Sequence, residues 1–236
     1  MPGLNSKVWR SIAVSLMLLF VANEAGGQPT GSRFGRSAQA GNVDDAELAM
    51  ALMARCIADR RPELVRRWLA LLPGTREELA LLRHDAPDFS FCLADRDLIM
   101  EGRSLRFQPR AARRPVALAV VERTLSQAPN EAPLPPDSDP WFVAPLAALS
   151  AQTRVDRGSL AVQDFGHCVA LRAWADTRAL FATEAGSPAE SAAVRRLTPV
   201  LGPCLTEGAN IRITHRNLRL ILAEPFYHLM TAPARR

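Results

Sequence analysis

Apolar residues recur at helical spacing through two separate stretches of the chain. In the first, Leu48, Leu52, Cys56 and Ile57, with Met53 beside them, fall on one face. In the second, Leu160, Ala161, Phe165, Cys168 and Val169 do the same. Such a stripe predicts an amphipathic helix in each place, with a cysteine on its buried face. After the first helix, Pro62 suits the opening turn of another, whose Val65, Trp68, Leu69 and Leu72 lie at i, i+3, i+4 and i+7. Pro73-Gly74 stops it. Thr177, Leu180 and Phe181 form the matching face in the second stretch, with Gly186 as the stop.

A third helix should follow each stop. Thr75-x-x-Glu78 and Ser187-x-x-Glu190 have the capping-box pattern, and Pro188 fits the first helical position. In that motif the hydroxyl accepts from the third helical N–H and the glutamate returns a bond to the cap residue's own N–H. Both glutamates are therefore read as structural. Pro87 and Pro199 are expected to end these helices, and the chain then reaches Cys92 or Cys204. A fourth helix is expected over residues 114–125, with Val116, Val120 and Val121 inward. Its counterpart is capped by Thr214 and bears Leu218, Ile221 and Leu222, with Pro225 kinking or ending it. Between the two sets lies APNEAPLPPDSDP (residues 128–140), expected to be extended and exposed. Residues 141–149 suggest one extra helix.

The parallel is also arithmetical. Cys56 and Cys92 are 36 residues apart, as are Cys168 and Cys204. A shift of 112 residues superposes Arg60 on Arg172, Arg66 on Arg178, Gly74 on Gly186, Glu78 on Glu190 and Arg83 on Arg195. Further on, EGRSLRF (101–107) answers EGANIRI (207–213), which also aligns Arg106 with Arg212. We read the chain as a tandem duplication of a small helical unit. The fold class expected is mostly α, with short extended segments only. Its parts are a unit at 44–127, a proline-rich linker at 128–140, a unit at 141–230 and a disordered tail at 231–236.

The N-terminus adds a compartment. Lys7 and Arg10 precede a short apolar run (11–22) and a polar stretch, the pattern of a cleaved secretory signal over residues 1–27. The run is too short to span a bilayer comfortably, where about 20 residues are needed, so no membrane span is expected in the mature chain. Residues 28–43 read as disordered. In an exported chain, four cysteines paired by a repeat point to disulfides Cys56–Cys92 and Cys168–Cys204. A four-thiolate zinc site lacks its close C-x₂₋₄-C spacing, and there is no C-x-x-C redox pair.

Charge narrows the chemistry. The net charge is +5, and the only lysine is Lys7, inside the signal. A mature chain without lysine excludes Schiff-base chemistry and a Walker lysine. His84, His167, His215 and His228 form no metal-ligand spacing. His167 next to Cys168 could mimic a nucleophile pair, but a disulfide would disable the thiol, and a surface histidine is the simpler reading. No catalytic residue, metal or cofactor is assigned. The arginine clusters, Arg110-Arg113-Arg114 and Arg195-Arg196 among them, read as solvated helix faces, although a polyanion could use them. Export argues against nucleic acid as partner. Four arginines shared by the two units, Arg66, Arg178, Arg83 and Arg195, are kept as candidate anion-binding residues.

The pattern Cys, helix, Gly-[Ser/Thr]-x-x-Glu, Pro, Cys-Leu, Glu-Gly resembles that of alanine-rich exported proteins of alphaproteobacteria, over residues 47–229. The resemblance implies no activity and transfers no functional residue. The expected function is thus a periplasmic or secreted, non-enzymatic interaction protein associated with the envelope, binding in a groove between its units. The alternative is a ligand-binding protein or enzyme with an arginine-lined pocket for an anionic small molecule.

Overall fold

The apolar stripes do form helices. A computed structural model describes residues 43–84, 91–92, 109–206, 208 and 211–232, with side chains from Glu47 onward. The signal at 1–27, the stretch to residue 42, Pro87, the first EG segment with Arg106, and the tail from 233 lie outside these residues. Nine α-helices are present among the described residues: α1 (Val43–Arg60), α2 (Pro62–Leu69), α3 (Arg76–His84), α4 (Arg113–Thr124), α5 (Val143–Ala147), α6 (Arg157–Arg172), α7 (Trp174–Phe181), α8 (Pro188–Leu201) and α9 (Leu218–Met230). No β-strand occurs among them. None of the helices is long and apolar enough to cross a membrane.

Both disulfides form within their own half, Cys56–Cys92 and Cys168–Cys204, with Cα atoms 5.7 and 5.6 Å apart. Local geometry repeats as well. The residues before α2 and α7, Arg61 and Ala173, have nearly the same backbone angles (φ −132°, ψ 53° and φ −134°, ψ 50°). Gly74 and Gly186 both have positive φ, +86° and +77°, a region closed to most side chains. They do not stop α2 and α7 as expected: those helices already end at Leu69 and Phe181, Leu72 lies beyond α2, and each glycine sits in the turn just before the next capping box.

The packing joins the halves. Met53, Ile57, Trp68 and Leu69 share one continuous core with Phe165, Leu180, Leu197, Leu222 and Phe226. All described residues lie in one compact unit, Ser32–Arg236. Helix α4 rests on α1, α9 rests on α6, and α4 and α9 pack on each other. These two run in opposite directions. Arg113, opening α4, meets Glu224 well along α9, and Arg219, near the start of α9, meets Glu122 at the far end of α4.

Three expectations from proline need correction. The segment 128–140 is not a free extended linker. Ala128 is buried, and Ala132 and Leu134 pack on the core. Its Pro129 and Ser138 carbonyls accept bonds from Trp174 Nε1 (2.9 Å) and His167 Nε2 (2.8 Å). Pro199 lies inside α8, near its end and exposed, where water can satisfy the carbonyl it orphans. Pro225 lies inside α9, which continues to Met230. Its ring fills the space left by Gly166 of α6, where an added Cβ would come within 2.6 Å of Pro225 Cγ. Burying the ring in that close crossing offsets the lost backbone bond.

Candidate functional site

The capping boxes form, with one difference common to both. The N–H of Glu78 donates to Thr75 Oγ1 (3.3 Å), and that of Glu190 donates to Ser187 Oγ (3.1 Å). The carboxylates, however, reach one residue further back, to the N–H of Gly74 (2.7 Å) and of Gly186 (2.6 Å). The cap residues' own N–H groups are already engaged, by Leu72 O and Glu184 O. The left-handed glycine thus offers the free donor.

The second oxygen of each glutamate takes a buried arginine. Glu78 Oε1 accepts from Arg113 Nη1 (2.8 Å) and from Trp68 Nε1 (3.1 Å). Arg113 also donates to the carbonyls of Trp68, Leu69 and Leu71 (3.1, 3.0 and 2.8 Å), which close the C-terminal end of α2, and to Glu224 Oε1. Glu190 Oε1 accepts from Arg219 Nε (2.9 Å), and Arg219 Nη2 donates to both oxygens of Thr183 (2.8 Å each) beyond α7. Arg113 and Arg219 are therefore not on solvated faces; each is 5% exposed. A guanidinium can enter the core because fixed oxygens replace its water. Sequence reading missed both. The signal was available: the shift of 106 residues that aligns EGRSLRF with EGANIRI carries Arg113 onto Arg219.

Glu224 sits fully buried between Arg113 and His228. Burial alone would raise its carboxyl, but Arg113, with a smaller contribution from His228, more than offsets this and holds it at about 2. His228 Nε2 stands 3.9 Å from Glu224 Oε1, and its ring stacks on Trp141 at 4.0 Å. Burial lowers the pKa of His228 and also of His167, which is itself buried and not a surface residue.

The four candidate arginines do not meet in one pocket. Arg83 and Arg195 are exposed on α3 and α8. Arg66 and Arg178 line two different clefts. The Arg66 cleft, about 280 Å³, lies among α2, α4 and α9, with Val65, Val120, Tyr227 and Met230 as its apolar wall. Its two cations are already paired, Arg66 with Glu63 and Arg123 with Asp59. The Arg178 cleft, about 460 Å³, lies between α7 and the chain after α4. It is lined by Leu125, Ser126, Asn130, Ala175, Ala179 and Ala182 besides the arginine. Arg178 is half-buried and donates to Asn130 Oδ1 (2.8 Å). No carboxylate lines this cleft among the described residues. Among the described residues no group of three or more His, Cys, Asp or Glu is placed to hold a metal ion. No family model, curated protein or solved structure matches the chain.

Proposed function

We propose that this chain is an exported, non-enzymatic binding module of the cell envelope, matured by removal of residues 1–27 and built by tandem duplication. The observation that carries the reading is how the polar interior is spent. Arg113, Arg219, Glu78 and Glu190 close helix ends and bind one another, which leaves recognition to the surface. Both disulfides support an oxidising compartment. Duplication is supported by the equal spans between cysteines, the paired left-handed glycines and the two arginine–glutamate clamps. The resemblance to alanine-rich exported proteins fits the same location.

A test is the mass of the chain recovered from a periplasm, denatured without reductant. Export predicts loss of the N-terminal signal and a mass about 4 Da below the reduced form, one hydrogen per cysteine. A full-length chain with four free thiols would overturn it. A second reading, binding of an anionic small molecule, is favoured by one observation: among the described residues the half-buried Arg178 faces an amide and its cleft is lined by no carboxylate.

A further inference from the structure

We infer that the Arg178 cleft is a site for a small monocarboxylic acid with an apolar body. The inference deepens the second reading above and rests on it. Its basis is a difference between two otherwise corresponding positions. Arg66 and Arg178 superpose under the 112-residue shift, and each lines a cleft. Arg66 is neutralised on its own helix by Glu63, three residues earlier. The corresponding residue before Arg178 is Ala175, whose methyl group lines the cleft. One half thus carries its own counter-charge, and the other carries a space where a counter-charge would sit.

The walls around that space are suited to a carboxylate. Arg178 Nη1 donates to Asn130 Oδ1, which holds the guanidinium against the wall and leaves its other N–H groups for a ligand. Asn130, whose amide carries donors besides the oxygen bound by Arg178, and Ser126 both line the same cleft. The wall is firmly placed, because Trp174, one turn before Arg178, donates to the carbonyl of Pro129 beside Asn130. One guanidinium matches one carboxylate in charge and in planar, two-pronged geometry. A phosphate dianion would keep an uncompensated charge. Leu125, Ala175, Ala179 and Ala182 supply an apolar floor, and about 460 Å³ is an ordinary volume for a small-ligand site.

The test is calorimetric titration of octanoate into the full disulfide-bonded chain, beside octanol and inorganic phosphate. Saturable octanoate binding is expected. It should weaken at least about tenfold in Arg178→Gln, the loss of one charge-assisted contact, and remain unchanged in Arg66→Gln. Ala179→Leu, which keeps the arginine and fills the floor, should also abolish it, and it carries the test if Arg178→Gln does not fold. The inference is overturned if octanoate does not saturate by about 10 mM, if Arg178→Gln binds equally, or if octanol binds as tightly. Phosphate binding as tightly as octanoate would overturn the choice of carboxylate. None of these failures touches the export reading, which the mass measurement tests separately.

Discussion

Thr177 occupies in the second half the place that Val65 occupies in the first, and both are buried on a helix face. Its Oγ1 has no hydrogen-bond partner among the described residues. A stranded hydroxyl in an apolar setting costs about 1–3 kcal/mol. Thr177→Val should therefore stabilise the chain by about 1 kcal/mol, read from the midpoint of urea unfolding at unchanged slope. Titrating groups make a second prediction. His228 and His167 have pKa values below the ordinary 6.5 when folded, so the unfolded chain takes up protons first and stability falls as pH drops below about 6.5. The Glu224 carboxyl is held at about 2 against an ordinary 4.5, so its contribution is present above 4.5 and is lost towards 2. Unfolding measured against pH should show these two descents. The single variant His167→Gln should reduce the upper one and leave the lower, whereas His228→Gln should change both, because His228 also helps hold the Glu224 carboxyl low. Residue type alone hid these roles. Nothing local marks Arg113 as buried, because its partners lie 35, 45 and 111 residues away.

At the scale of elements the sequence was read more fully. Most of the apolar faces of α1, α2, α6 and α7 and both capping boxes were legible, since helix periodicity and caps are local properties. The exceptions are Leu48, which is exposed, and the ends of α2 and α7, which come at Leu69 and Phe181, before Leu72 and before the glycines. The other failures came from proline. Pro225 is a breaker in a solvated helix, but here its ring is buried against Gly166, and tertiary packing outweighs the local cost. The two left-handed glycines make a paired prediction. Gly74 and Gly186 share a left-handed conformation. A Cβ on Gly74 would lie 2.4 Å from the backbone nitrogen of Asp156, whereas one on Gly186 meets nothing within 4 Å. Gly186→Ala should cost about 1–2 kcal/mol for the backbone alone. Gly74→Ala should cost clearly more, because it also pushes on the Asp156 N–H bond to Pro73 O that joins the halves. Thermal midpoints of the two variants, compared side by side, decide this.

At the scale of the whole molecule, two disulfides close loops of equal span and one core serves both halves. Each crosslink should stabilise by about 4 kcal/mol on loop-closure grounds. Because the core is shared, removing either bond should lower a single cooperative transition. Cys56→Ser/Cys92→Ser and Cys168→Ser/Cys204→Ser should each unfold in one step, with circular dichroism and tryptophan fluorescence coinciding. Two separated steps would mean that the halves unfold independently. The sequence foretold the cysteine pairs, since equal spacing is visible in a string of letters. It was silent on the packing of α4 against α9, which depends on which faces remain unburied after each half has formed.

The crossed pairing of α4 and α9 also sets an order in time. Chains are made from the N-terminus, so Arg113 exists before the carboxylate 111 residues downstream that completes its shell. Glu122 likewise waits for Arg219, 97 residues later. The leading half therefore emerges with the Arg113 partners Glu78, Trp68, Leu69 and Leu71 already made, and the remaining one comes with α9. The core of the first half is thus completed only once α9 is there to pack on α4.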